Sequence, residues 1–359
     1  MGVPVSDYER WLKKAIRAEL PADAFRKRPL RAMITLPLLL AIVGGSFAVV
    51  RFSLPWYVAL IISVLLGSLY GSLFFFGHEI AHGAVIQSKR WQDFILFPAF
   101  LIFCLSPHFW RAWHNMAHHA HTNVAGYDPD NFGTIELFNG TRFARLINVF
   151  APGSGCWPSF FFLFLFFTLH AQGVLWWNSQ RIPFPQLSKR RAALETFPMI
   201  AFWIALSFTV GLKAALFVVL IPMFSANAVI MSYIVTNHLM RPLTSVQDTL
   251  STTMSVSTPK IFDKLHFHFS HHVEHHLFPS LSTKYAPLVR ASLLRHARDR
   301  YLAPSHLKSL VVLHRTPRIY DGWNTLVDPP TSRRVAIKDI EAMLQGRLEK
   351  DGLDCRPPG

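Results

Sequence analysis

The stretch FFFGHEIAHGAV occupies residues 74–85, where a long apolar segment gives way to polar sequence. It contains two histidines four residues apart, His78 and His82, with Glu79 between them. Residues at positions i and i+4 project from the same face of a helix, so both imidazoles can reach one metal ion. The sequence therefore predicts part of a metal site at the end of an apolar helix.

Three tight histidine clusters, and one single histidine, each lie beside the end of an apolar segment. The residues predicted to bind metal are His78, His82, His114, His118, His119, His238, His272, His275 and His276. We expect His114 and His118 to share a helix face, as His78 and His82 do. His119 is rotated by about 100° from His118 on a helix of 3.6 residues per turn and can reach a second ion. Eight or nine imidazoles are too many for one ion and suit two.

The HExxH spacing is also the signature of zinc hydrolases, in which the glutamate acts as a base. A catalytic zinc uses three protein ligands and one open position, and an intramembrane protease would also need an aspartate from a later membrane helix. The Asp-Gly pairs of this chain lie in its polar C-terminal tail. We therefore interpret Glu79 as a residue that orients an imidazole, and the zinc protease as the weaker alternative.

The composition favours an integral membrane protein. The chain has 359 residues, is 51% hydrophobic, and carries its apolar residues in blocks long enough for lipid-embedded helices. Its formal net charge is +15, and the basic residues flank apolar segments, so we expect lipid or acidic protein partners and no nucleic acid. Three scattered cysteines indicate neither a disulfide framework nor a thiolate metal site.

Three apolar segments are long enough to cross a bilayer. Met33–Val50 and Leu54–Phe76 predict one hairpin, and Met199–Val235 predicts two short spans that turn at Gly211. Phe94–Leu105 is too short to cross, so we expect a re-entrant or interfacial piece.

Counting crossings gives a predicted orientation. If Ser159–Trp177 lies in the interface, the chain crosses four times, and both termini and all histidine clusters face one side. Of the 36 basic residues, this leaves only Arg51 and Lys213 on the other side. An excess of basic residues marks the cytosolic face, so we expect the clusters and termini to be cytosolic.

The predicted fold is an all-α integral membrane protein with four transmembrane helices and a cytosolic helical cap that carries the metal site. Its predicted regions are a cytosolic amphipathic segment (1–32), a membrane domain with the histidine clusters (33–285) and a cytosolic tail (286–359). Ser6 and Glu9 predict a capping box that opens a helix, either solvated or lying on anionic lipid. In the tail, Ala286–Leu302 and Asp339–Leu348 are predicted helices.

The chemistry of the ligands favours iron. Imidazoles without cysteine suit iron, zinc, copper or nickel, but zinc has no redox chemistry. An unactivated C–H bond has no acidic proton and no electrophilic carbon, so acid–base residues cannot attack it, whereas iron that activates oxygen can. A tunnel beside the metals can hold an acyl chain with one carbon in place. We therefore favour a di-iron site with O2 as co-substrate.

The order and spacing of the clusters, HxxxH, HxxxHH and HxxHH, resemble the histidine boxes of the membrane fatty acid desaturase superfamily. Three segments are similar to the sequences usual at the boxes of that family: GHEIAHG (77–83), HHAHTN (118–123) and VEHHLFP (273–279). The similarity covers about residues 35–285. The resemblance implies a four-span helical fold with a cytosolic di-iron centre held by the nine histidines named above. His238 belongs to this set by position rather than by a box.

The boxes are more similar to acyl-lipid than to acyl-CoA desaturases. The resemblance implies an O2-dependent enzyme that introduces a double bond into an acyl chain of a membrane lipid. No HPGG-type haem-binding segment is present, so we expect electrons from a separate ferredoxin or small haem carrier, steered by the basic face. With no haem fusion and no ER retrieval signal, a bacterial inner membrane is the expected location.

Two alternatives stay open at this point. A hydroxylase or ketolase of a carotenoid, sphingolipid or alkane could use the same scaffold, because it differs from a desaturase only in the fate of the activated carbon. A non-enzymatic metal transporter fits less well, because its ligands would be strung across the bilayer.

Overall fold

The computed structural model describes residues 4–177, 184 and 186–346, which are mostly helical. The first helix, α1 (Asp7–Glu19), begins where predicted, because the Ser6 hydroxyl accepts a hydrogen bond from the Glu9 amide at 3.1 Å. Its apolar residues Leu12 and Ile16 are fully buried against the third histidine box and helices of the C-terminal region. Of the two alternatives, a helix with its apolar face on lipid was therefore wrong: this face packs on the protein, and most of the polar residues of α1 are exposed.

A packed helix pair follows. After a 3-10 turn (Pro29–Ile34) come α2 (Thr35–Arg51) and α3 (Trp56–Ala81), joined by a short connection. Both helices are long and apolar enough to cross a membrane, and they coincide with the predicted hairpin. Helix α3 continues beyond its apolar part and carries the first histidine box.

The next segment is sharply bent. Helix α4 (Lys89–Phe100) is followed by a break and by a second helical run that contains the second histidine box. This run consists of α5 (Pro107–Trp110), a π-helical stretch (Arg111–His118) and α6 (His119–His121). The two halves enclose an angle of 97°, which agrees with the re-entrant or interfacial piece predicted at Phe94–Leu105.

Among the described residues, three α-helices lie between the second box and the last membrane pair. They are α7 (Ile135–Gly140), α8 (Arg142–Phe150) and α9 (Phe162–Trp176), the last preceded by a 3-10 turn (Trp157–Phe161). By length and composition, the continuous helix Trp157–Trp176 could cross a membrane. The sequence predicted that this segment lies in the membrane interface. Its length also allows a crossing, so length alone does not decide between the two arrangements.

The last apolar segment folds as two helices separated by Gly211. Helix α10 (Lys189–Val210) precedes this glycine, whose φ of +83° favours a residue without a side chain. The second helix runs from Leu212 to His238 as α11 (Leu212–Ala215), a π-helical stretch (Leu216–Leu220) and α12 (Ile221–His238). The predicted turn is confirmed, but α10 begins ahead of Met199, because Ser188 caps a charged first turn.

Five helices among the described residues could cross a membrane, or six if the bent pair counts as one span. Close packing joins two of them. A Cβ atom at Gly67 of α3 would lie 2.3 Å from Ser225 Cβ of α12, and one at Gly71 would lie 2.9 Å from a Val229 methyl group. These small residues therefore allow α3 and α12 to pack closely.

The C-terminal region is helical apart from one small sheet, which an all-α fold did not include. Its helices are α13 (Thr249–Thr252), α14 (Lys260–Leu265), α15 (His272–Leu277), α16 (Ala286–His296), α17 (His306–Arg315) and α18 (Ile337–Gln345). The strands β1 (Ile319–Tyr320), β2 (Thr325–Asp328) and β3 (Arg333–Ala336) pair antiparallel in that order, with Leu326 opposite Val335.

Two predicted helices in this region differ at their ends. The helix expected at Ala286–Leu302 stops at His296, and the following residues Tyr301 and Leu302 are buried as a loop. The helix expected at Asp339–Leu348 begins at Ile337, and its last two predicted residues lie outside the described ranges.

Glu79, between the two histidines of the first box, holds three parts of the chain together. Its buried carboxylate pairs with Arg31, which precedes α2, and accepts hydrogen bonds from Thr283, at 2.8 Å from the hydroxyl and 3.2 Å from the amide. Arg31 also donates to the Ser282 hydroxyl at 2.7 Å. The interpretation that Glu79 orients an imidazole was therefore wrong, and these bonds leave no role for it as a hydrolytic base.

We expect Glu79→Gln and Arg31→Gln each to lower the free energy of unfolding by about 3 kcal/mol, because each leaves a buried partner uncompensated. The double variant should lose less than the sum of the two single losses. Denaturant unfolding of the four proteins measures this coupling. The exposed pair Asp23 and Arg28 is the control, and its cycle should couple by less than about 1 kcal/mol. Strict additivity at Glu79 and Arg31 would contradict the assigned contact.

Candidate metal centre

All nine predicted histidines lie together at one site. The C-terminal ends of α3 and α12, the π-helical stretch and helix α15 bring them to one place. They divide into two neighbouring groups. The first group is His78, His82, His114, His119 and His275, and the second is His118, His238, His272 and His276.

The first group has one ring nitrogen from each of its five histidines within 4.8 Å of all the others. The Nε2 atoms of His78 and His114 are 2.8 Å apart, and those of His119 and His275 are 3.1 Å apart. Two residues come from the first box, two from the second and one from the third. This group therefore cannot form unless residues nearly two hundred positions apart in the chain are folded together.

The second group surrounds the end of α12. Ring nitrogens of His118, His238 and His276 lie within 4.8 Å of one another. The Nε2 atom of His272 is 2.8 Å from that of His238. His238 was placed with the boxes only by its position. It directly contacts His118 of the second box and His272 of the third.

The π-helical stretch divides the second box between the two groups. The His119 amide donates to the His114 carbonyl, a spacing of five residues, so these two side chains point the same way. His118 points to the other group. His114 and His118 lie next to each other as predicted, with their rings stacked at 5.3 Å between centroids, and the separation of His118 from His119 also agrees with the prediction.

The histidines fit a metal centre better than a hydrogen-bonded cluster. Imidazole nitrogens face one another, and the buried Nε2 atoms of His82 and His276 have no hydrogen-bond partner among the described atoms. Buried polar atoms without partners are costly, and cations would supply the missing partners. Burial, and next the neighbouring His118, lower the pKa of His275 to about 3, so its ring is neutral at pH 7, as a ligand must be.

Acidic side chains hold the rings from outside. His118 Nδ1 lies 2.9 Å from Asp128 Oδ1 and 3.2 Å from Asp130 Oδ2, which leaves Nε2 to face the second group. Trp113 donates to Asp130 at 2.8 Å and fixes that carboxylate. The only sign of this contact in the sequence is the position of the two aspartates shortly after the second box.

Glu274 anchors the helix of the third box and was missed by the sequence analysis. It accepts hydrogen bonds from Tyr301 at 2.6 Å, Arg290 at 2.9 Å and Ser255 at 2.5 Å. Burial raises its pKa, but Arg290 and the hydrogen bonds outweigh burial and lower it to about 2. The carboxylate is therefore charged at neutral pH and fixes the direction from which His275 and His276 project.

A largely aromatic cavity of about 650 Å³, counted with its open mouth, adjoins the two groups. Its wall contains histidines of both groups, together with Phe74, Trp110, Phe167 and Phe269. Apolar walls of this kind accommodate a hydrocarbon and exclude water. The arrangement places a narrow apolar chamber in contact with a set of metal-ligating side chains.

Comparison with known proteins agrees with this architecture. A family model described as fatty acid desaturase matches residues 54–308, which is more than half of the chain. The chain is 31% identical over 112 residues to the sn-1 oleoyl-lipid 12-desaturase of Picosynechococcus sp., which is 31% of this chain and 31% of that protein. It is 29% identical over 121 residues to the sn-1 acyl-lipid omega-3 desaturase (ferredoxin) of Synechocystis sp., which is 34% of this chain and 33% of that protein.

These alignments span about a third of the length of the curated relatives. The family match is much longer and includes all three boxes and His238. It confirms the family predicted from the histidine boxes: the chain belongs to the fatty acid desaturase family.

Proposed function

We propose that this protein is an acyl-lipid desaturase, which removes two hydrogens from adjacent carbons of a fatty acyl chain in a membrane lipid. The observation that carries the proposal is the pair of histidine groups that opens onto an apolar cavity. Its membership of the desaturase family supports the same reaction, and both relatives described above are named as lipid desaturases.

The reaction needs an oxidant and a source of electrons. One O2 takes up the two hydrogens of the alkyl chain together with two electrons and two protons, and two waters leave while the C–C bond becomes a double bond. Two iron ions, one in each histidine group, would supply the oxidising power when bound. Nine imidazoles without a thiolate or a ligating carboxylate are an apt donor set for them.

The protein's own residues position the substrate and the ligands. The aromatic walls hold an acyl chain and exclude water, so that one pair of carbons stays beside the histidines. Asp128, Asp130 and Glu274 fix the directions of the rings, since each binds a box residue or the helix that carries it. A rigid set of rings and a rigid chamber together select which carbons react.

We also propose that electrons come from a separate small carrier. One relative carries "ferredoxin" in its name, and the strongly basic composition of this chain would steer an acidic partner such as a ferredoxin or small haem protein. A bacterial inner membrane, with the boxes and both termini in the cytosol, accords with the distribution of basic residues.

The positions of the histidines support four membrane crossings. His78 at the end of α3 and His238 at the end of α12 border the same cavity, so an even number of crossings must lie between them. Helix α10 and the Leu212–His238 helix supply two, and the bent pair follows the first box and carries the second, whose rings lie in the same site. A crossing by Trp157–Trp176 would make the number odd, so we place this helix along the membrane face.

In a cysteine-free background, Gly140→Cys and Arg190→Cys flank the helix Trp157–Trp176, and Lys213→Cys lies between the last two spans. With four crossings, a membrane-impermeant maleimide should label Gly140→Cys and Arg190→Cys from the same side and Lys213→Cys from the other. Labelling of spheroplasts and inverted vesicles measures this. Reaction of Gly140→Cys and Arg190→Cys from opposite sides would rule out the four-crossing arrangement.

Expression in a host that lacks desaturases tests the reaction. Lipid mass spectrometry should find acyl chains lighter by two mass units, and His275→Ala should reduce this product by more than about 100-fold, because a ligand is lost. The exposed His314, changed to Ala, is the matched control and should retain full activity. Products heavier by sixteen mass units would instead identify a hydroxylase, and unchanged activity of His275→Ala would refute the proposal.

A further inference from the structure

A small basic pocket lies beside the start of the first membrane helix, apart from the aromatic cavity. Three parts of the chain form it: the segment before α2, the loop after the first histidine box and the loop after the third box. Its volume is about 190 Å³, counted with its open mouth, and its lining is Arg26, Arg28, Arg31, residues 84–85, Ser282 and Lys284.

Two of the pocket arginines already have carboxylate partners. Arg28 pairs with Asp23, and Arg31 pairs with Glu79. Arg31 is additionally fixed by its hydrogen bond to Ser282 at 2.7 Å, so this guanidinium is a rigid part of the wall. These pairs give the pocket its shape but add little net charge.

The other cations of the pocket lack such partners. Within the described part of the chain, no carboxylate lies within ion-pair distance of Arg26 or Lys284. Lys27, next to the pocket, donates to the Ser280 carbonyl at 2.9 Å, and burial lowers its pKa. The pocket and its margin therefore hold three positive charges that no neighbouring acid balances.

The pocket lies at the level where a membrane begins. The first candidate span starts at Pro29, within the segment that lines the pocket. Leu30 is 86% exposed and Met33 is 57% exposed, so this turn presents apolar side chains that lipid would cover. Basic residues next to such a turn lie among the phospholipid headgroups.

We propose that this pocket binds the phosphate group of an anionic phospholipid. A phosphate is compact enough to reach the open mouth of this pocket, where the guanidinium groups of Arg26 and Arg28 and the ammonium group of Lys284 can pair with its oxygens. An acidic electron carrier would bring a convex surface too large to enter, and it would use a broad basic patch instead. The bound lipid would tie together the three chain segments that Glu79 also joins.

Titration of the purified full-length chain in a neutral detergent, followed by native mass spectrometry, tests the site. The probes are phosphatidylglycerol, phosphatidylcholine and inorganic phosphate. The variant R26Q/K284Q should bind phosphatidylglycerol at least about tenfold more weakly than the unaltered chain, since it removes two of the cations that attract the anionic lipid. The conservative variant R26K/K284R should retain binding.

The control R298Q/K338Q removes the same charge from exposed positions in the C-terminal region and should bind phosphatidylglycerol normally. An equal loss in this control would show that net charge, and no built site, governs binding. Inorganic phosphate bound as tightly as phosphatidylglycerol would identify a free-anion site. If R26Q/K284Q lost binding of the electron carrier but kept binding of phosphatidylglycerol, the pocket would be a docking site for the carrier. Each of these three outcomes would overturn the proposal.

The readout requires neither O2 nor turnover. Phosphatidylglycerol should also raise the unfolding temperature of the unaltered chain more than that of R26Q/K284Q, because a ligand of the folded state stabilises it. The absence of both effects would refute the lipid site and leave the proposed desaturase reaction untouched.

Discussion

The structure depends on one constraint: nine imidazoles are buried against one another, where they cannot satisfy their own hydrogen-bonding atoms. The buried Nε2 atoms of His82 and His276 lack partners among the described atoms, and several pairs of Nε2 atoms lie at hydrogen-bond distance from each other. Metal ions would satisfy these nitrogens together, and neutral rings are the form that binds them. The helix ends, the outer carboxylates and the cavity are all arranged around this requirement.

The surrounding contacts keep the rings in place before any metal binds. Asp128 and Asp130 hold His118, and Glu274 anchors the helix that carries His275 and His276. Glu79 acts on the rings indirectly, because it joins the first box to the loop that follows the third box. The glutamate of an apparent hydrolase motif thus has a structural role, and the histidines beside it belong to the candidate metal centre.

The sequence predicted the family, the apolar hairpins and the grouping of the histidines, because spacing and hydropathy are local properties. It could not predict the π-helical stretch, since a spacing of five residues leaves no mark in composition, and so it did not predict that His114 and His119 point the same way. It also missed the burial of α1 and the partners of Glu79 and Glu274. Those contacts join residues far apart in the chain, such as Arg31 and Thr283, and only the fold brings them together.

The most direct test of this account is metal analysis of the protein purified from iron-supplied cells, combined with X-ray absorption at the iron edge. We expect two iron ions per chain in a shell of nitrogen ligands without sulfur, and partial loss of iron when His82 or His276 is replaced by Ala. One zinc ion per chain, or iron that is unaffected by both replacements, would contradict the account.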